Sequence, residues 1–289
     1  MALTPEADAS APARSAGPPA SRAGRNLPAA IAVGVVLAGV AAASLFFDKR
    51  YFLVLAAAAM LAAVWELGRA LRTAGITLPT PPLYLGVLGV IAAGWYAGAG
   101  GVALALGLFL LLVLLWRSLR GPAGYLADAS AGAFTVGYLL LAGGFATLLV
   151  REDDGPFRIL AWLLLVVASD VGGYAVGVLA GRHPMAPSVS PKKSWEGFAG
   201  SVLACVTLGI VVVAWALSGS WWAGAVLGLS LAMAATLGDL AESLLKRDIG
   251  VKDMGRLLPG HGGVMDRLDS VALSAPIAWL VLSLLVPVG

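Results

Sequence analysis

The sequence predicts an all-α protein that passes through a membrane many times, and three observations predict it. The chain is 60% hydrophobic and 12% charged, where soluble domains carry about 25% charged residues. Its apolar residues fall in long blocks rather than short alternating strands, and about 20 such residues are needed to cross a bilayer as a helix. Lys and Arg are distributed unevenly between the connections that join those blocks. A helix satisfies its own backbone hydrogen bonds, which makes it the natural spanning element for such blocks.

Taken in order, residues 1–26 are rich in Ala, Pro and Ser and carry Arg14, Arg22 and Arg25. That composition cannot bury a core, so a disordered tail is expected. The apolar run that follows starts late and is long enough to span, which argues against a cleaved signal peptide. Nine spans are expected, at about 27–47, 51–71, 83–98, 100–116, 130–150, 157–181, 195–217, 221–245 and 270–287. The third and fourth are short and poorly separated around Ala97–Gly101, and could form one hairpin or a re-entrant pair. The organisation is then a tail (1–26), an N-terminal set of membrane helices (27–150) and a C-terminal set of membrane helices with polar loops (151–289).

With the N-terminus in the cytoplasm, 15 of the 19 Lys and Arg residues fall on the inner side. Only Lys49, Arg50, Arg151 and Arg158 stay outside, the last two diluted by Glu152, Asp153 and Asp154. This bias is what the positive-inside rule requires. The lone cysteine, Cys205, lies in an apolar run and excludes an intramolecular disulfide; packing is its expected role. Gly173, Gly177 and Gly181 recur every fourth residue in the sixth span, a spacing that favours close helix contact.

The most informative stretch runs from Leu237 to Ser270, with six acidic and five basic residues in an otherwise oily chain. Asp239 and Glu242 sit inside an apolar run. A carboxylate at that depth costs several kcal/mol unless it faces a polar cavity or a partner. Helical spacing places Asp239 and Ser243 on one face, with Glu242 and Lys246 beside them. Lys246, Arg247, Asp248, Lys252, Asp253 and Arg256 follow. Pro259-Gly-His261-Gly262-Gly263 then breaks the chain, and Asp266 and Asp269 lie on one side of the next helix. Glycines beside a helix start let backbone N–H groups approach an anion. Carboxylates suit Mg²⁺, which often shares its oxygen ligands with substrate phosphates. Acids, cations and a glycine loop together point to phosphate chemistry at a membrane surface. The alternative is a solvated loop with surface ion pairs, which the acids within the apolar run disfavour.

Two further clusters lie upstream. Ser169-Asp170-Val-Gly-Gly-Tyr174 interrupts the sixth span, with Asp170 and Tyr174 on one face. Asp170 serves either function or helix packing. Ser188-Val-Ser190-Pro-Lys192-Lys193-Ser-Trp-Glu-Gly197 fills the next inner connection, with Pro191 suited to a first helical turn. Ser190, Lys192 and Lys193 could grip phosphate, or the lysines could hold anionic lipid headgroups. Trp195 could be an interfacial anchor. His183 is expected at the surface, while His261 either donates to a phosphate or stabilises its loop.

These residues resemble a known family. Ser243-Leu-Leu-Lys-Arg-Asp248, Lys252-Asp253 and Leu258-Pro-Gly-His-Gly-Gly-Val-Met-Asp-Arg-Leu-Asp269 are similar, in order, to the C-terminal signature of phosphatidate cytidylyltransferases, the CDP-diacylglycerol synthases. The Lys192-Lys193 and Asp170 segments resemble two further segments of that family. A small departure is Ser194-Trp195, where Thr-Ile or Thr-Val is commoner. The recognisable part covers about residues 155–289.

The resemblance implies that CTP and phosphatidate react to CDP-diacylglycerol and pyrophosphate, with Mg²⁺ and the option of a second cation. It implies a homodimer in the cell membrane with no nucleic-acid partner, while the charge bias places the charged stretch on the cytoplasmic side. Asp239 and Asp266 match the family's metal-binding aspartates, with Asp269 beside them. Lys246, Arg247, Lys252 and Arg267 would neutralise phosphate oxygens, with Asp253 in the same catalytic set. Ser190, Lys192, Lys193, Ser243, His261, Gly262 and Gly263 would contact substrate, with Asp170 and Tyr174 framing the site. Two rivals are a CTP-dependent polyprenol or phytol kinase and a cation-coupled transporter. The His-Gly-Gly signature disfavours the first, and the lack of an internal repeat disfavours the second.

Overall fold

The structure, a computed structural model, describes residues 27–258 and 262–288; the expected tail at 1–26 and His261 lie outside the described residues. Helices dominate: α1 (Leu27–Phe47), α2 (Lys49–Thr73), α3 (Thr80–Ser118), α4 (Tyr125–Thr135), α5 (Leu141–Arg151), α6 (Gly155–Ala180), α7 (Trp195–Ala216), α8 (Trp221–Asp248) and α9 (Met265–Leu285). A five-residue π-helical segment, Val136–Leu140, joins α4 to α5 without a break. One small antiparallel hairpin, β1 (Pro184–Ala186) and β2 (Ser190–Ser194), departs from the all-α expectation. Pro191 therefore lies in a strand, not in a first helical turn. The cap of α7 is Ser194, whose Oγ accepts from Gly197 N at 3.1 Å.

Seven helices among the described residues are long and apolar enough to cross a membrane. The expected third and fourth spans are one helical element, α3, with Gly98 at φ 66° and ψ −153° in its middle. That conformation is open to glycine and strained for other residues. Here α3 doubles back. A Cβ on Gly86 would lie 3.3 Å from Phe109, and one on Gly94 would lie 3.2 Å from Val102. A straight helix would hold Gly86 and Phe109 roughly 34 Å apart at 1.5 Å per residue.

Two polar ends result. At one, Lys49 Nζ donates to the carbonyls of Arg151 and Glu152 at 2.9 and 2.8 Å. Arg158 is buried there, donating to Asp154 Oδ1 at 2.5 Å and to the Val286 carbonyl at 3.0 Å. At the other end, Asp128 takes the Thr77 N–H and the Arg117 Nε–H, each at 2.7 Å. The β-hairpin lies against the last turn of α8, where Arg247 Nε donates to the Val189 carbonyl at 3.3 Å, and the loop after α8 reaches the C-terminal half of α2, where Leu257 N donates to Glu66 at 3.4 Å.

Lipid tails are as apolar as Leu, so helices in a bilayer associate by close packing rather than by the hydrophobic effect. The glycine stripe on α6 follows this logic. A Cβ on Gly177 would meet Gly197 Cα of α7 at 3.7 Å, and one on Gly181 would lie 2.7 Å from Ser194 Oγ. Cys205 is buried on the next turns of α7, with its Sγ 3.1 Å from the Leu165 carbonyl, a packing position. His183 is an exposed residue paired with Glu196 at 2.5 Å.

Candidate active site

A cavity of about 810 Å³ opens at the hairpin end. α6 contributes Asp170 and Tyr174, the hairpin Ser190, Lys192 and Lys193, α8 Asp239 and Lys246, the following loop Asp253, and α9 Asp266, Arg267 and Asp269. Three sequence clusters thus converge on one space. Its deeper wall is apolar, with Leu163, Val166, Val167 and Val271. Such a site can hold a charged headgroup at the mouth and leave apolar chains toward the bilayer.

The close approach of α8 to α9 sets this geometry. Gly238 is buried, and a Cβ there would collide with the Asp269 carbonyl. The next residue, Asp239, is thereby carried up to the α9 acids. Asp239 is only partly buried; its Oδ2 lies 2.6 Å from Lys193 Nζ, and its Oδ1 accepts from Ser243 Oγ at 3.3 Å. Asp266 is 7% exposed and more tightly held. It takes Lys246 Nζ at 2.7 Å, the Met254 N–H at 3.1 Å and the Gly263 N–H at 2.9 Å.

Lys246 also lies 2.7 Å from Glu242 Oε2. One ammonium thus serves two buried acids, Glu242 and Asp266. Three carboxylates, those of Asp239, Asp266 and Asp269, line the cavity. Oxygen donors of this kind, on a polar cavity wall, fit a hard divalent cation. Among the described residues no three acids, His or Cys are already drawn together as a finished metal cage. The aspartates sit on lysines instead, and would have to exchange an ammonium for a cation.

Some expected residues are placed elsewhere. Arg247 braces the hairpin through Val189 and does not line the cavity. Lys252 is exposed beyond the lining. The Gly263 N–H is directed at the Asp266 carboxylate, so it fixes an acid rather than presenting itself to phosphate. Gly262, at φ 85°, supplies the turn, with its carbonyl accepting from Leu258 N at 2.9 Å.

Two residues that sequence reasoning passed over touch this site. Tyr138, on the π-helical segment, donates its hydroxyl to the Asp269 carbonyl at 2.9 Å. A π-turn inserts an extra residue and re-aims the side chains around it, a feature no periodicity reveals. Glu66 on α2 is buried and accepts from the Leu257 and Met265 N–H groups at 3.4 and 2.9 Å. Its signal was available: an acid in the middle of an apolar run.

Known proteins with similar sequences identify the family. The sequence pattern of the Cytidylyltransferase family matches residues 28–285. A phosphatidate cytidylyltransferase of Mycobacterium leprae (strain TN) is 47% identical over 281 residues, covering 91% of this chain and 90% of that protein. Another, of Mycobacterium bovis, is 44% identical over 278 residues, with 92% and 91% coverage. One of Brucella melitensis biotype 1 is 39% identical over 179 residues, 61% of this chain and 63% of that protein. With a match that runs through nearly every described helix and relatives aligned along most of their length, the chain belongs to the cytidylyltransferase family.

Proposed function

We propose that this chain is a phosphatidate cytidylyltransferase, converting CTP and phosphatidate to CDP-diacylglycerol and pyrophosphate for phospholipid synthesis. One observation carries the reading: a cavity at the hairpin end of the helices brings lysines from the hairpin and from α8 onto carboxylates of α8 and α9, above an apolar wall. Family membership and the names of the relatives point the same way.

Phosphatidate is a phosphate monoester whose second ionisation falls near pH 6, by analogy with phosphorylated side chains. Its oxygen is already a nucleophile at neutral pH, so no protein nucleophile is required. A phosphatidate oxygen bonds to the α-phosphorus of CTP, the bond from that phosphorus to the bridging oxygen breaks, and pyrophosphate departs with the electron pair. The protein's task is to hold two polyanions together and to meet charge on the leaving group. Lys192, Lys193 and Ser190 take one anion, and Lys246 and Arg267 the other. Asp170 and Tyr174 frame the mouth on α6. Mg²⁺, held by Asp239 and Asp266 with Asp269 close by, would supply charge neutralisation on phosphate oxygens.

The nine-pass arrangement belongs to the same reading, counting each arm of α3 and the continuous run 125–151 once. The hairpin end then faces the cytoplasm, where CTP is, and the N-terminus starts on that side. The excess of Lys and Arg at that end supports it. Assembly as a homodimer in the cell membrane follows from the family resemblance.

The test is [α-³²P]CTP with phosphatidate and purified protein in detergent, with and without Mg²⁺. A labelled lipid and unlabelled pyrophosphate are expected, dependent on the cation. Release of CDP with an unlabelled phospholipid product would instead identify a kinase and sink the assignment.

A further inference from the structure

We infer that Glu66 is a positioning residue for this reaction: from α2 it caps the helix that carries Asp266 and Asp269, and it fixes both ends of the glycine loop. The inference rests on the cytidylyltransferase reading and adds a role for a residue of the N-terminal membrane helices.

α9 lacks a cap of its own. The residue at its N-cap position, Val264, has helical dihedrals and no side chain able to accept. The first N–H groups of a helix have no internal partner, and an anion there is favoured by the helix dipole. The acceptor comes from far away in sequence: Glu66 Oε2 takes the Met265 N–H at 2.9 Å. The other oxygen, Oε1, faces the Leu257 N–H at 3.4 Å. One carboxylate thus joins the two sides of the 257–265 loop.

The backbone is shaped around this acid. A Cβ on Gly255 would collide with the Glu66 carboxylate, and one on Gly263 would lie 2.5 Å from Glu66 Oε2 and 2.9 Å from Asp266 Oδ2. The same glycine therefore separates Glu66 from Asp266, and the Gly263 N–H is given to Asp266. Moving Glu66 would move the start of α9, and with it the direction of the Asp266 carboxylate. Glu66 itself does not line the cavity, so it acts through the loop.

The experiment uses the full chain in detergent, with three variants. Glu66→Gln keeps the shape but replaces one acceptor oxygen by a donor that must face an N–H. It should stay folded, lower kcat about 30-fold and change KM for CTP less than threefold. The Met265 and Leu257 amides should exchange hydrogen at least tenfold faster, while amides in the middle of α7 should not change. Gly255→Ala should lose a comparable share of kcat, and adding Glu66→Asp, which shortens the acid by one methylene, should recover at least part of it.

A Glu66→Gln protein with wild-type kcat and unchanged exchange at Met265 overturns the inference. So does a variant that only lowers the melting temperature with kcat per folded molecule unchanged, or a Gly255→Ala defect that Glu66→Asp leaves untouched. Failure of the wild type to make a CDP-lipid would instead overturn the activity; the exchange measurement still tests the loop contact on its own.

Discussion

Two acid–base pairs, one in each half of the molecule, are built from similar residues and do opposite work. Arg117 and Asp128, in the N-terminal half, form a closed unit with side chains 5% and 9% exposed. Asp128 also takes the Thr77 N–H, and Arg117 also donates to the Gly121 and Ala123 carbonyls. Each side-chain nitrogen of Arg117 and each carboxylate oxygen of Asp128 has a partner, and the product is a fixed junction between α3, α4 and the α2–α3 turn. Lys193 and Asp239, in the C-terminal half, are 24% and 34% exposed and open onto the cavity. Their other contacts are long: Thr236 carbonyl at 3.4 Å and Ser243 Oγ at 3.3 Å. A pair with unfilled directions on a cavity wall can release its partners to a ligand. Openness, rather than residue type, separates chemistry from scaffold here.

The comparison breaks first at Asp266. Asp266→Asn keeps the size and the chance to accept from Met254 and Gly263, but removes the charge that balances Lys246 and would hold a cation. Turnover should fall about 1,000-fold, equivalent to roughly 4 kcal/mol of transition-state stabilisation, with the helical circular dichroism unchanged. The assay is CDP-lipid formation per folded molecule across a Mg²⁺ titration. Near wild-type turnover at saturating Mg²⁺ would remove Asp266 from the site.

At the closed pair the expected loss is in stability. Asp128→Asn leaves a buried guanidinium without its counter-charge, and breaking a buried pair from one side costs about 3–5 kcal/mol. The thermal midpoint in detergent should fall, while kcat of the protein that remains folded stays within twofold. If turnover fell and the midpoint held, the division between scaffold and chemistry would be wrong.

Much of this was readable from sequence because membrane helices obey local rules. Length and apolarity mark α2, the run 125–151 and α6 to α9, and charge in an apolar run marks Asp170, Asp239 and Glu242. Helical spacing predicted the Asp239–Ser243 contact, which is present. What stayed hidden depends on contacts across the fold. The fold-back at Gly98 needs a backbone angle, and the hairpin at 184–194 needs pairing between a Pro-containing strand and its neighbour. Arg247 sits among cavity residues in sequence, yet the helical turn sends it to Val189. Glu66 is separated from the loop by the whole chain between α2 and α9, and no local pattern connects them.

The smallest expected effect sharpens the open side of the comparison. An ion pair as exposed as Lys193–Asp239 contributes about 0–1 kcal/mol to stability, so Lys193→Gln should leave the melting temperature almost unmoved. Its ammonium is valuable only when a phosphate arrives, and one charge-assisted contact contributes roughly 1.5 kcal/mol more than a neutral one. KM for one substrate, and not both, should therefore rise about tenfold, with kcat reduced less. Lys193→Arg should restore part of that loss, because the charge is kept while the shape changes. Steady-state kinetics with CTP and phosphatidate varied in turn would assign the lysine to its anion. A matched rise in both KM values would mean that Lys193 shapes the cavity as a whole, and a lower melting temperature with no kinetic change would return it to the scaffold.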